Sequence, residues 1–491
     1  MRRRAAILLL PWLVSCVASP PHRPLPEALE VPDEWNARPV RASPAEGRWW
    51  TRFSDDQLDS LVSLALEANH DIQRAAARMQ QAAASARIDA ADLKPLVGAA
   101  LDGARRQQNF IGFPIPGRAQ QVLRTSSTRY GLSLETTWEV DLWGRIRAAA
   151  RAGLADFAAS QADLRGVKLS IAAQTVRAWF ALAEANQQVD LAEDTVARRH
   201  QSAQQVRSRF ERGLRPAVDL RLALSNLADA EAEVERERRR RDAAMRQLQV
   251  LLGRYPSDSL APFRPPAGLP REPPPVPVGL PAELIGRRPD VVAAGRRLAA
   301  ADQRLRWARR SLYPRLSLTG TGGTTSTELA DLVDGDFRVW SLAANLMQPL
   351  FQGGRLRAGV ARADAAAQEA LALYAGTALQ AFAEVETALA AETFLAGEEA
   401  RQAESAAQLQ AASDLARSRY QRGIGDYLTV LESETRELAA RSALLSVRRL
   451  RLDTRVDLHL ALGGGFETGL RPTRRPGRRP ERGVRADGEA P

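Results

Sequence analysis

Apolar and polar positions alternate strictly from Tyr130 to Val140: Tyr130, Leu132, Leu134, Thr136, Trp138 and Val140 interleave with Gly131, Ser133, Glu135, Thr137 and Glu139. That period of two predicts a strand with one apolar face. A helical period replaces it further along. Leu182, Ala185, Val189, Ala192, Val196, Arg199, Ala203, Val206 and Phe210 keep a three-four spacing in which only Arg199 is polar, so this stretch predicts a coiled-coil seam. The corresponding stretch of Leu395, Ala406, Leu409, Ala416 and Tyr420 is weaker, because Glu399, Gln402 and Ser413 interrupt it. On spacing alone, a core stripe in an ordinary helical bundle is an equal alternative.

Proline sets the boundaries. Seven prolines fall between 20 and 44 and eleven between 256 and 289, whereas 117–215, 217–255 and 350–471 contain none. The proline-free blocks are rich in Ala, Leu, Glu, Gln and Arg, which favours long helices. At about 1.5 Å per residue, the block from Arg145 to Arg212 predicts a rod of roughly 100 Å, longer than a compact domain needs.

The chain repeats itself. Asp71 is followed by Pro95, and Asp290 by Pro314, at the same spacing; Phe210-Glu211-Arg212-Gly213 is echoed by Tyr420-Gln421-Arg422-Gly423, and Gly253 by Gly463. Each unit predicts a helix, a strand opening at the proline, a loop, a second strand, a long helix, a glycine turn and a return helix. The expected organisation is a signal peptide at 1–15, an extended segment at 16–53, a first repeat at 54–255, a Pro-rich linker at 256–281, a second repeat at 282–466 and a disordered Arg/Pro tail at 467–491. In the first repeat the strands are expected at about 97–106 and 129–141, the long helix at 145–212 and the return helix at 217–252. In the second they are expected at about 314–323 and 339–350, 355–421 and 426–462. The helix at 290–313 is expected to stack end to end on the first return helix, across the linker. Four strands are too few for a membrane barrel, whose smallest form has about eight, so subunits must combine if these strands enter lipid. A soluble edge sheet is the alternative for the strands alone.

Composition narrows the chemistry. The chain of 491 residues has one cysteine, Cys16, and four scattered histidines, which argues against a disulfide framework or a metal centre. Of the net charge of +11, the three N-terminal arginines carry +3 and the tail a net +4. The run Glu235 to Asp242 mixes both signs and predicts a solvated or partner-facing helix face rather than a nucleic-acid site. Gly320 to Gly323 lacks the lysine of a phosphate loop, and no catalytic constellation is evident, so the chain is not expected to be an enzyme. Three arginines followed by an apolar stretch too short to span a bilayer predict a secretory signal. Leu13-Val14-Ser15-Cys16 resembles a bacterial lipobox, which implies a diacylglycerol and an N-acyl chain on Cys16 and no other cofactor; Val17 after it points to the outer membrane.

Taken together and in order, several motifs resemble the outer membrane factors, the TolC-like efflux channels, in their OprM and NodT lipoprotein branch. They are the lipobox, Trp50-x-x-Phe53 with Leu58 and Leu61, Asp141-Leu142-Trp143-Gly144-Arg145, Arg287-Arg288-Pro289-Asp290, Tyr313-Pro314-x-Leu316-x-Leu318 and Gly423-Ile424-Gly425-Asp426-Tyr427-Leu428. The resemblance spans roughly residues 10 to 466. It implies a mainly α fold with a small β part, and a homotrimer whose four strands per chain form a twelve-stranded barrel continued by a twelve-helix tube. It also implies a periplasmic adaptor (a membrane fusion protein), an inner-membrane pump expected to be of the RND type, contact with outer-membrane lipid and no nucleic acid. In this family the two helix turns, here at Gly213, Gly423 and Gly425, form a periplasmic tip that is closed at rest. The family's acidic tip positions map to Thr429, Glu432 and Asp426, so one carboxylate is absent. The resemblance implies a carboxylate constriction at Asp426 and Glu432, with Asp219 at the equivalent place after the first turn, and an interhelical lock from Tyr420, Arg422 and Arg212. A helix N-cap is the local alternative for Asp426. Two other functions stay open: a type I secretion channel, and a coiled-coil lipoprotein bridging the periplasm without a pore.

Overall fold

The computed structural model describes residue 35 and residues 47–110, 123–276 and 281–464. The expected signal segment, Cys16 and the tail lie outside the described residues. Glycine and proline place the breaks between elements, and the Ala-rich blocks run uninterrupted. In order, the elements are α1 (Asp56–Ala68), α2 (His70–Ala91), β1 (Leu96–Phe110), β2 (Leu123–Val140), α3 (Arg145–Glu211), α4 (Ala217–Leu251), α5 (Pro281–Arg287), α6 (Pro289–Arg310), β3 (Arg315–Ser326), β4 (Arg338–Met347), α7 (Arg355–Gln421) and α8 (Tyr427–Ala461). No described helix is long and apolar enough to cross a membrane.

The four strands form one antiparallel sheet in the order β1-β2-β3-β4, so β1 and β4 are both free edges. β1 and β2 reach 15 and 18 residues, beyond the spans the sequence predicts, because mutual pairing continues from Leu96↔Thr137 up to Phe110↔Leu123 through polar residues that the alternation leaves unmarked. β3 and β4 are shorter, at 12 and 10 residues.

The helices assemble as rods, and the end-to-end stacking differs from expectation. α6 follows α8 rather than α4. Asn69 caps α2 by accepting from the backbone of Asp71 at 2.9 Å, and its side-chain amide donates to the Leu251 carbonyl at the end of α4, also at 2.9 Å. In the second unit Arg288, just before α6, donates to the Ala461 carbonyl at the end of α8 at 3.4 Å. Each return helix therefore ends on the first helix of its own repeat, and the orphan carbonyls at its C-terminus are met there. α3 packs on α4, α2, α6 and α8, and α7 packs on α8 and α6. The order across the chain is thus α2/α4, α3, α6/α8, α7.

Position in that order decides burial. α3 and α7 are both 67 residues long, but α3 buries 27 of them and α7 only 11. Arg199, the polar interruption of the first seam, is buried and donates to the Asn226 carbonyl at 2.9 Å. Ser413, which breaks the apolar pattern of the second seam, is fully buried. A small side chain lets the helices approach closely.

The largest core gathers halfway along the rods, where Trp49, Trp50 and Phe53 join Leu58, Leu61, Trp179, Phe180 and Leu248. Trp179 donates its indole N–H to Asp55 at 2.7 Å, and that carboxylate also caps α1 through Gln57 and Leu58. α8 adds Leu452 and Val456 to this core, and ion pairs flank them. Asp453 lies 2.5 Å from Arg449, which also reaches Glu184 at 2.5 Å, while Arg177 pairs with Asp457. Burial outweighs these arginines and pushes the Asp453 carboxyl up to about 6. A carboxyl raised in the folded state binds more protons there than in the unfolded chain, so its effect on stability is most favourable below the ordinary carboxylate value and fades as pH rises through about 6. Heat resistance should therefore fall between about pH 4 and pH 7, and Asp453→Asn should flatten that slope, as followed by the helical circular dichroism signal on heating.

Candidate functional site

Directly opposed residues of an antiparallel pair share a face, so the register sorts the sheet. One face carries Val97, Leu101, Tyr130, Leu132, Leu134, Trp138, Val140, Leu316, Leu318, Trp340, Leu342 and Leu346. The other carries Asp102, Arg106, Arg129, Ser133, Glu135, Thr137, Thr319, Thr321, Ser341 and Asn345. The apolar face is bare within the chain: Trp340 is 81%, Leu342 77% and Leu101 70% exposed. A sheet with one largely apolar exposed face, interrupted by Thr136 and Thr324 and toward the outer end by Arg105 and Arg338, one polar face and two open edges fits a barrel wall with lipid outside and water inside.

The sheet is clamped rigidly to the rods. Asp141 accepts from the backbone of Ile146 at 3.1 Å and of Arg147 at 2.9 Å, satisfying the first turn of α3. Arg145 pairs with Glu139 at 2.8 Å, and Arg310 donates to the Gly144 carbonyl at 2.7 Å. Trp143 donates to the Pro314 carbonyl at 2.8 Å. The Asp-Leu-Trp-Gly-Arg motif is this joint.

At the far end of the rods the two helix turns meet. Gly213 and Gly423 adopt φ of +70° and +81°, the left-handed backbone in which a β-carbon is strained, and each closes a long helix. Gly425 is needed for space instead, since a β-carbon there would lie 3.2 Å from the Tyr420 backbone nitrogen. Tyr420 is the anchor. It is buried with Tyr427, Val206, Ala223 and Val430, and the two tyrosine rings are 5.7 Å apart. Burial, helped by Glu434, pushes the Tyr427 hydroxyl up to about 12.

Two arginines that the sequence did not single out hold this tip. Arg209 donates to the carbonyls of Tyr420 and Gln421, each at 2.9 Å, with its guanidinium 4.5 Å from the Tyr420 ring centre. Arg215 donates to the Gly425 carbonyl at 2.9 Å and stands 5.2 Å from the same ring. Arg212 bonds within its own helix, to Ser208, and Arg422 is exposed beyond the contact. The observed contact between the turns centres on Tyr420 with Arg209 and Arg215 as its cations, and Arg212 and Arg422 stand outside it. Spacing could not separate the four arginines, because each lies in or within one helical turn of one of the two glycine turns and only the turn geometry selects among them.

The carboxylates expected at the constriction are separate within one chain. Asp426 caps α8, accepting from the Thr429 backbone at 2.7 Å; that bond, with Arg215 nearby, holds its carboxyl below the usual range. Glu432 is exposed and paired with Arg436 at 2.6 Å. Asp219 sits half-buried in the first turn of α4. Gating by Asp426 and Glu432 therefore requires that a symmetry axis bring copies together.

A long rod bundle bearing a membrane-facing sheet and ending in a locked double turn defines the class of barrel-and-helix conduits. Residues 61–254 and 280–464 match the model of the outer membrane efflux protein family, one match per repeat, and the chain belongs to that family. It is 33% identical over 469 residues to the outer membrane protein OprJ of Pseudomonas aeruginosa, covering 95% of this chain and 96% of that protein. It is 32% identical over 458 residues to the pyoverdine export outer membrane protein OpmQ of the same species, covering 93% and 95%. Among solved structures, the outer-membrane channel OprN superposes with a TM-score of 0.83 at 29% identity, covering 91% of this chain and 99% of that one.

In planar-bilayer recordings Arg209→Ala should raise resting conductance several-fold by freeing the Tyr420 and Gln421 carbonyls, whereas Arg212→Ala should stay near the wild-type trace.

Proposed function

We propose that three copies of this chain close into a channel that passes substrates from the periplasm to the exterior, with energy supplied elsewhere. The observation that carries this reading is a pair of unfinished edges: β4 has no strand partner beyond β3 among the described residues, and α7 is an outer rod with most of its length exposed. In lipid an open sheet edge leaves backbone groups unsatisfied, so the sheet must close on copies of itself. The rods then close with it into a tube.

In this reading the tip receives a periplasmic adaptor, and the adaptor docks an inner-membrane pump of the RND type. Acyl chains on Cys16 add a second hold on the membrane; one chain alone binds weakly, and several anchor durably. The efflux family match and OpmQ, a pyoverdine export protein, support an efflux role over type I secretion, and the two-faced sheet favours a pore over a non-pore bridge. The pump, not the tube, selects the substrate, since a wide conduit discriminates little. Threefold copies of Asp426 and Glu432 form a cation-attracting ring at the mouth.

Purified full-length protein should run as a trimer by mass in detergent, carry acyl mass on Cys16 and insert into planar bilayers as a nearly closed pore. A monomer, or a trimer that never conducts, would overturn the reading. In the same recordings Asp426→Ala combined with Glu432→Ala should increase small-ion leak and reduce its preference for cations; unchanged conductance and selectivity would remove these carboxylates from the gate.

A further inference from the structure

The two hairpins at the outer end of the sheet carry opposite charge. Among the described residues from Gly103 to Phe110 and from Leu123 to Arg129 there are four arginines, Arg105, Arg106, Arg124 and Arg129, and no carboxylate. The connection from β3 to β4, residues 327–337, holds Glu328, Asp331, Asp334 and Asp336 and no basic residue.

The fold places these segments alternately. β1 and β2 rise beyond the last β2–β3 pair, Tyr130↔Ser326, so the basic hairpin stands above the level at which the acidic connection turns. That connection is ordered: Asp331 accepts from Ser326 at 2.5 Å, Thr324 donates to the Leu332 carbonyl at 2.7 Å, and the turn Ala330–Val333 packs on β3 and β2. Asp334 is used internally, accepting from the Asp336 backbone at 3.1 Å. The carboxylates of Glu328 and Asp336 and the guanidinium groups of Arg105 and Arg106 have no ion-pair partner among the described residues.

Closing the sheet sets the free edge of β4 beside the free edge of β1 in the next copy, and the strand directions leave that new pair antiparallel. The acidic connection leading into β4 then lies between its own basic hairpin and that of its neighbour. We propose that this acidic connection is an ion-pairing surface for a second copy of the chain, with Glu328 and Asp336 straddling the edge of the adjacent subunit's β1 to meet Arg105 on its apolar face and Arg106 on its polar face, fastening the outer end of each seam. This inference rests on the trimeric reading above. Opposite charges alternating around the rim favour this closure register over one that brings like hairpins together.

The test compares Arg105→Glu with Arg106→Glu, Glu328→Arg with Asp336→Arg, and all four changes together, in full-length protein. Wild-type mass in detergent is read first: a monomer sinks the trimer itself, whereas a trimer leaves this inference to be judged alone. Each pair of reversals should shorten the trimer's half-life at fixed high temperature about tenfold, and the fourfold swap should bring it back to within about twofold of wild type. Doubles that match wild type, or a swap no better than the worse double, would overturn the proposal. Should the reversals not assemble, Arg105→Gln with Arg106→Gln replaces them: loss of the wild type's salt-sensitive half-life supports the pairing, and retention overturns it.

Discussion

Each layer of this chain is covered at its centre and open at both edges, and covering those edges is the constraint from which the rest follows. A single antiparallel sheet with two free edges and an apolar face cannot sit in lipid, because hydrocarbon offers nothing to an unpaired N–H or C=O. The same asymmetry continues along the rods, where α3 is enclosed on both flanks and α7 is not, although the two helices have the same length. Sheet and rods run out of partners together. One closure therefore satisfies both, and the strand-to-helix joint at Asp141 and Arg310 passes the curvature of one layer into the other.

Stability is concentrated at three heights. Midway, aromatic side chains bury against α3, and the Pro-rich segment is strapped to α7 and α8 by Arg451, which joins Glu272 and Glu399, and by Arg455, which reaches Glu272 at 2.7 Å and Glu392 at 2.6 Å. At the tip, a small core around the buried rings of Tyr420 and Tyr427 is joined by two guanidinium groups. At the sheet, side-chain burial within the chain is slight and backbone pairing dominates. Long spans between these levels are held by alanine-lined contacts, which permit close approach while contributing little apolar area per residue.

Periodicity made the rods legible to within a residue of their observed ends, since proline and glycine bound them and nothing inside them breaks a helix. The apolar half of each strand was visible for the same reason. The outer end of the β1–β2 hairpin was not, because Gln107 to Phe110 and Leu123 to Thr128 lack alternation, and their pairing follows from the register set lower down. Stacking of α6 on α8 was also hidden: it depends on whether Arg288 and Asn69 reach a carbonyl of their own repeat, and spacing carries no information about reach. A duplicated sequence nevertheless favours this outcome, since the same local joint then works twice.

The gate is harder to read for a deeper reason. Asp426 has a complete local explanation as the cap of α8, and Glu432 as half of an i,i+4 ion pair. Neither depends on any function. A constriction is a property of the symmetry axis: it arises when three ordinary caps are brought close enough to repel one another and attract counter-ions. Arg209 and Arg215 are more informative because they cross between the two repeats within one chain, from the first turn to the carbonyls of the second. In the proposed channel, opening must break or stretch those bonds, which tie the first turn to the second within each chain.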